Sequence, residues 1–112
     1  MFRSILLVTI GSLFLVGSAW ADQIEGKWKR EDGTILSITS CGSEFCVDVA
    51  SGDYKGQRSG KLKGSNGTYS GRLKQLSTGI SFTGNATITG NKMHLVAKKL
   101  GITVKTENWV KQ

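Results

Sequence analysis

The amino-acid sequence predicts an all-β fold, a small up-and-down antiparallel β-barrel of about eight strands that follows an N-terminal signal peptide. Short segments in which apolar and polar residues alternate recur about every ten residues, and Gly, Asn, Asp and Ser separate them. A chain of 112 residues is enough for one domain. The one segment with helical spacing, residues 93–100, is short and has no N-cap residue. A meander of eight strands can close into a barrel, which leaves no free sheet edge.

The first 21 residues have the three parts of an export signal. Arg3 supplies the positive charge, residues 5–16 form an apolar stretch, and Ala19 and Ala21 give the small-residue pattern of a cleavage site. The apolar stretch is shorter than the roughly 20 residues that a membrane-spanning helix needs. We therefore predict a signal peptide at 1–21, a single barrel domain at 22–112, and a periplasmic or secreted protein without a transmembrane helix after cleavage.

The predicted strands follow one another from turn to turn. Ile24, Gly26 and Trp28 alternate with charged residues in the first strand, and Asp32 with Gly33 marks the first hairpin turn. The next strands are expected at 34–40, 45–51, 58–63, 68–74 and 80–89, and the chain closes with Ile102, Val104 and Trp109.

Cys41 and Cys46 are predicted to form a disulfide. If they face each other across a hairpin with a four-residue connection at 42–45, Ile38 faces Val49. This register places the apolar residues on one face and both cysteines on the other. An oxidising compartment favours pairing in so small a domain. Metal binding is less favoured because a structural zinc site needs four ligands, and a redox role because the C-x-x-C spacing is absent.

Two further patterns concern the last strands. Around a two-residue loop at 90–91, Ile88 would face Met93. Trp109 has the opposite parity to Ile102 and Val104, so either a β-bulge intervenes or the Trp covers one end of the barrel.

Groups for catalysis or metal binding are sparse in this sequence. His94, the only His, is expected on the outer face of its strand, without a partner to orient it. The neighbouring carboxyl groups of Glu31 and Asp32, and of Glu44 and Asp48, fall in or near turns, where acids are ordinarily solvated. We expect a protein that is not an enzyme and that has no cofactor and no metal site.

The basic residues suggest a binding surface. The chain has 15 Lys and Arg against 8 Asp and Glu, for a net charge of +7. Lys61, Lys63, Arg72 and Lys74 would lie on one side of a hairpin, with Tyr54 and Tyr69 nearby, and form a candidate anion-binding face for lipid phosphates or envelope polysaccharide. The alternative is a solvated wall that keeps the barrel soluble. Nucleic acid is not expected as a partner of an exported protein.

The opening of the first strand resembles the calycins, the lipocalin-like barrels. Their Gly-x-Trp motif is matched by Gly26 and Trp28. In that family the Trp plugs one end of the barrel against a basic residue of the last strand. The resemblance therefore implies a barrel-end plug of Gly26, Trp28, Trp109 and Lys111, with Lys111 where Arg is usual.

Five short motifs occur within residues 24–111: Gly26/Trp28, Cys41-Gly42/Cys46, Phe82-Thr83-Gly84, Leu100-Gly101 and Trp109/Lys111. In these motifs the chain is also similar to a bacterial family of exported proteins known as domain of unknown function 2147. Phe82 stands where Tyr is common, Lys111 replaces Arg, and no Gly follows Cys46. The resemblance implies a barrel and export, and no activity, since none is assigned to the family.

Two functions are compatible with these features. The first is a binding or envelope-associated module for an amphiphile or an anionic group, with an open barrel end near Trp28 or the basic hairpin as the contact. The alternative is an inhibitor of a secreted protease or lysozyme, which would use residues 22–25 or 52–56 as the contact.

Overall fold

The computed structural model describes residues 23–112, which form eight antiparallel strands closed into one barrel in chain order. The predicted fold class is therefore confirmed. The predicted signal peptide at 1–21 lies outside the described residues. No helix within residues 23–112 is long and apolar enough to cross a membrane. The strands are β1 (Gly26–Lys29), β2 (Ile35–Cys41), β3 (Glu44–Val49), β4 (Arg58–Ser65), β5 (Thr68–Gln75), β6 (Ile80–Thr89), β7 (Lys92–Lys99) and β8 (Ile102–Lys111).

The two ends of the barrel differ in their connections. Two-residue turns at 42–43, 66–67 and 90–91 lie at one end, which we call the lower end. The connections at the other end, which we call the mouth, are residues 30–34, 50–57, 76–79 and 100–101. Longer connections leave the mouth less tightly covered than the lower end.

The β6–β7 hairpin has the register that the sequence predicts. Ile88 lies opposite Met93 and Ala86 lies opposite Leu95. Gly90 has φ 63°, so it can take the first position of a two-residue turn whose twist matches that of the strands.

The β2–β3 hairpin differs from the predicted one by two residues. Cys41 lies opposite Glu44, and Cys46 lies opposite Thr39. The turn has two residues because Gly42, at φ 76°, reverses the chain directly. The disulfide between Cys41 and Cys46 is confirmed, but it joins the strands diagonally, with the Cα atoms 5.8 Å apart. A shift of two residues keeps every side chain on its face, so the predicted faces hold although the predicted register is wrong.

The parity of Trp109 is explained by a bulge, the first of the two alternatives above. Ala97 pairs with Lys105 whereas Lys98 pairs with Thr103, so Val104 is an extra residue in β8. Beyond the bulge Trp109 is 3% exposed, while Val104 is 51% exposed.

The lower half of the barrel is filled by side chains. Trp28, Ile24, Tyr69 and Met93 are at most 1% exposed, and the ring of Phe45 packs edge-on against that of Tyr69 at 5.7 Å. Tyr69 therefore belongs to the core: it lies in the same hairpin as the basic residues, but its ring faces the inside of the barrel. Leu62 in β4 and Gly71 in β5 lie on the same inner face as Tyr69, because every second residue of a strand faces the same side.

Candidate functional site

The half of the barrel next to the mouth contains a cavity of about 490 Å³. Sites for small molecules typically have volumes of this order. Its walls are formed by apolar and largely buried side chains, those of Leu36, Val49, Leu73, Phe82, Leu95 and Trp109. Gly84 and Ala97 line it as well, and their small size contributes to the space.

Charged and polar residues surround the cavity near the mouth. Three basic residues, Arg30, Lys74 and Lys105, and three acidic residues, Asp32, Asp53 and Glu107, contribute to its lining. The carboxylate of Asp32 accepts a hydrogen bond from the backbone N–H of Thr34 at 2.9 Å, which lowers the pKa of that carboxyl. This hydrogen bond holds Asp32 in its own turn, at the edge of the cavity.

The carboxylate of Glu107 is the most buried charged group of the described chain, at 8% exposure. Arg30 binds it in a two-point contact, with Nε 3.1 Å from Oε1 and Nη2 2.9 Å from Oε2. The indole N–H of Trp109 donates to Oε1 at 2.8 Å, and Nζ of Lys105 lies 2.9 Å from Oε2. Both oxygens therefore have two donors each, the arrangement that makes a buried carboxylate tolerable.

The pKa of Glu107 shows whether burial or hydrogen bonding has the larger effect on this carboxyl group. Burial by itself raises this pKa, but the hydrogen bonds from Arg30, Trp109 and Lys105 outweigh it and lower the pKa to about 2. Two cations face the carboxylate of Glu107, and the carboxylate of Asp32 lies close enough to Arg30 for each to shift the pKa of the other, so the charges of the cluster are about balanced. Lys105 has a side chain 52% exposed and can also contact a ligand.

The sequence did not identify this cluster as a site. Arg30 follows β1 and Glu107 lies in β8, and their separation of 77 residues gives no local signal. They meet because β1 and β8 close the barrel. The signal that was available is the alternation of Lys105, Glu107 and Trp109, which places all three on the inner face.

Three of the four predicted plug residues meet at the lower end. Trp28 is fully buried, its indole N–H donates to the carbonyl of Ile24 at 2.9 Å, and Nζ of Lys111 lies 5.3 Å from its ring centroid. A Cβ on Gly26 would lie 2.9 Å from Cε of Lys111, so the glycine makes room for the lysine. The fourth residue, Trp109, lies on the cavity wall.

The expectation of an open barrel end near Trp28 is wrong. Trp28 and Ile24 fill the lower end, and Lys111 is held across it by donating to the carbonyl of Gln23 at 2.7 Å. The cavity opens at the mouth, because the residues that surround it belong to the longer connections of that end.

The four residues of the candidate anion-binding face lie exposed on the outer surface of β4 and β5. Lys61 is directly opposite Arg72, and Lys63 is opposite Ser70. Lys74 is two residues beyond Arg72 on the same face. The structure thus places these side chains along one outer surface of the barrel, and Lys74, which is nearest to the mouth, also contributes to the lining of the cavity.

His94 lies exposed on the outer wall, with Nδ1 3.0 Å from Oδ1 of Asn108. The backbone N–H of Asn108 in turn donates to Glu31 at 2.9 Å, so these residues join β7, β8 and the first turn. Asp48 pairs with Arg58 at 2.8 Å on the surface. Among residues 23–112, no group of three His, Cys, Asp or Glu side chains is close enough to hold a metal ion.

Comparison with known proteins gave no match to a family model, to a curated protein or to a solved structure. The antiparallel eight-strand barrel that the resemblance implied is confirmed by the structure itself, and no family is identified.

Proposed function

We propose that this protein is a non-enzymatic binding module that holds a small amphiphile in the cavity at the mouth. The observation that carries the proposal is a cavity of about 490 Å³ with apolar inner walls and a buried ion cluster in its lining. Apolar walls would bind the hydrocarbon part of a ligand, since burying such surface is favourable at about 25 cal/mol per Å².

The cations beside Glu107 favour an acidic head group. Arg30 and Lys105 both contact that carboxylate, and the side chain of Lys105 is still 52% exposed at the mouth. Lys105 would therefore also donate a charge-assisted hydrogen bond to a ligand carboxylate or phosphate. We therefore propose a single-chain anionic amphiphile as the ligand class.

The proposal includes export and membership of the exported family that the sequence resembles. The N-terminal pattern is that of an export signal. The disulfide is favoured by the oxidising compartment to which export would lead. The alternative, inhibition of a secreted protease or lysozyme, would use residues 52–56, which are exposed at the mouth. The other suggested contact is less suitable because Ile24 is fully buried.

Displacement of a fluorescent apolar probe tests the proposal. We expect a fatty acid of medium chain length to displace the probe, and an alcohol of the same chain length to do so more weakly because it lacks the charge. The variant Ala97→Phe should lose binding, since Ala97 lines the cavity and the larger ring fills it.

The matched control is Val96→Phe, which places the same ring at the preceding residue of β7, opposite Thr106 and outside the cavity lining. It should bind the probe as the wild type does. Equal probe binding by wild type and Ala97→Phe, with both folded, would refute binding in the cavity. Stoichiometric inhibition of a protease or lysozyme in a parallel panel would favour the alternative function.

A further inference from the structure

The tip of the β7–β8 hairpin has an unusual residue for its backbone conformation. Leu100 has φ 54° and Gly101 has φ 78°, and a two-residue loop with both φ values positive is a type I′ turn. Such turns favour Asn or Asp at the first position, because a bulky side chain is strained there. The β4–β5 turn of the same barrel follows this preference, with Asn66 at φ 55° and Gly67 at φ 85°.

The strain at Leu100 is not offset by packing of its side chain inside the barrel. It is 95% exposed, the most exposed of the large apolar residues of the described chain. Ile102 and Val104, next along the strand, are 67% and 51% exposed, and Ile80 on the neighbouring β6 is 43% exposed. We call these four residues the apolar tip. Strained and solvent-exposed apolar residues of this kind indicate a contact outside the chain.

Lysines surround the apolar tip. Lys98 and Lys99 precede it directly, and Nζ of Lys99 lies 3.3 Å from the carbonyl oxygen of Ser81 beside Ile80. No Asp or Glu occurs anywhere in residues 54–106, a segment that includes β4 to β7 and half of β8. The surface around the tip is therefore apolar in the centre and positive at its edge.

We propose that the apolar tip docks this protein onto an anionic lipid bilayer. Leu100 and Ile102 would enter the boundary between head groups and acyl chains, and Lys98 and Lys99 would contact lipid phosphates. Apolar insertion and attraction to anionic lipid together give stable peripheral binding where either alone is weak. The charge at the edge of the tip favours a bilayer over an apolar patch on a second copy of the chain, whose own tip would be equally positive.

This docking orients the rest of the molecule. Residues 100–101 are one of the connections at the mouth, so the cavity would open towards the bilayer. The proposal stands without any ligand in the cavity, because the tip lies outside the cavity lining.

The test uses vesicles of phosphatidylglycerol and phosphatidylcholine, and protein recovered in one form so that all variants share the same N-terminus. The variant Leu100→Asn installs the preferred residue of a type I′ turn, so its thermal stability should equal or exceed that of the wild type. Its affinity for the vesicles should fall by about tenfold or more, because one inserted leucine is lost.

A second pair of variants locates the contact. In Leu100→Trp the added indole should show a blue-shifted emission on vesicle binding and quenching by brominated lipid. Asn91→Trp places the same indole in an exposed turn at the lower end, and its emission should not change. Probe binding in the cavity should be the same in Leu100→Asn as in the wild type, which separates this test from that of the proposed function.

Several results would overturn the proposal. They are absence of wild-type binding to the vesicles, full binding by Leu100→Asn, and an unchanged emission of Leu100→Trp. Self-association that Leu100→Asn abolishes, without vesicle binding, would assign the tip to a second copy of the chain instead.

Discussion

Trp28 shows how one residue can close one end of a barrel. Its indole is enclosed from three sides, by Ile24 before it, by Lys111 over its ring and by the buried side chains of the neighbouring strands. The hydrogen bond to the carbonyl of Ile24 satisfies the one polar atom that a buried indole brings. Lys111 is useful there because its stem covers the ring while its ammonium group reaches a backbone carbonyl.

We predict that Trp28→Ala lowers the free energy of unfolding by about 3–5 kcal/mol, as large core truncations do. Chemical denaturation of both proteins measures this. The control is Tyr54→Ala, which removes an aromatic ring that is 38% exposed in a mouth loop, and it should change stability little. Unchanged stability of Trp28→Ala together with lost probe binding would show that the residue contacts ligand instead.

Glu107 is predicted to make the protein acid-sensitive within a defined range of pH. Its pKa is about 2 in the folded protein against an ordinary value of 4.5. A lowered carboxyl pKa stabilises the fold at pH above 4.5, and this contribution is lost as the pH falls towards 2. The loss should be on the order of 3 kcal/mol. Denaturation at a series of pH values measures it.

Glu107→Gln is the control for this pH dependence. The variant should be less stable than the wild type at neutral pH, because the half-buried Arg30 loses its charged partner. Its stability should also change less between pH 4.5 and 2. Parallel pH curves for the two proteins would mean that another carboxyl group is responsible.

Among the strands, local sequence signals were sufficient to predict the register of the β6–β7 hairpin but not that of the β2–β3 hairpin. The β6–β7 register follows from Gly90 at the turn and from the alternation on both sides, and it was predicted correctly. In β2–β3 the assumption that the two cysteines face each other shifted the register by two residues, although a disulfide can also join diagonal neighbours. The period of two fixes the faces of a strand, whereas the register depends on the turn conformation of Gly42.

The cavity and its ion cluster were beyond what local patterns could predict. Whether a barrel is filled depends on the summed volume of inward side chains from all eight strands, including small ones such as Gly84 and Ala97. The pairing of Arg30 with Glu107 exists only because the first and last strands meet.

We predict that reducing the disulfide of the β2–β3 hairpin lowers stability by about 2 kcal/mol, because it closes a very short loop. Denaturation with and without reductant measures the change, and the double variant Cys41→Ser/Cys46→Ser should match the reduced protein. Mass spectrometry of unreduced protein gives the direct check. Two free thiols in protein recovered from an oxidising compartment would contradict the pairing.

The candidate anion-binding face of β4 and β5 remains a prediction. If Lys61, Lys63, Arg72 and Lys74 bind anions, the protein should be retained on immobilised dextran sulfate and released by salt. Screening shortens the range of the field from about 30 Å at 0.01 M salt to about 8 Å at 0.15 M. Replacing all four residues by Gln should abolish retention and leave the barrel folded, since exposed charges contribute little to stability.

Leu100→Asn is the matched control for the basic face, because it alters the apolar tip and no charge. It should be retained on dextran sulfate as the wild type is. If the wild type itself is not retained at low salt, the four residues form only a solvated wall.

Across the whole molecule, charge and openness are distributed unevenly. All acidic side chains belong to residues 22–53 or to Glu107, while residues 54–106 carry only positive charge. The lower end is closed by Trp28 and its neighbours, and the mouth contains the cavity and the apolar tip. A bilayer at the mouth would therefore meet the apolar tip and the edge of the positive half of the barrel together.

β1 and β8 close the barrel along a seam that has fewer backbone residue pairs than any other pair of neighbouring strands. Only two residue pairs join these strands, Trp28 with Lys111 and Lys29 with Val110, against eight between β5 and β6. The side chains of Arg30 and Glu107 connect the two strands beyond the last backbone pair. This ion pair therefore supports both the cavity wall and the seam.

We predict that Arg30→Met opens the seam locally. The change leaves the buried carboxylate of Glu107 with Lys105 and Trp109 alone, so the amide hydrogens of β1 and the end of β8 should exchange with solvent more than about tenfold faster. Amides of β5 and β6 should keep their wild-type rates, because that ladder is long and distant from the change. The control Arg58→Met removes an exposed ion pair with Asp48 and should leave both regions unchanged. A uniform acceleration throughout the barrel would contradict a local opening and show that the ion pair stabilises the fold as one unit.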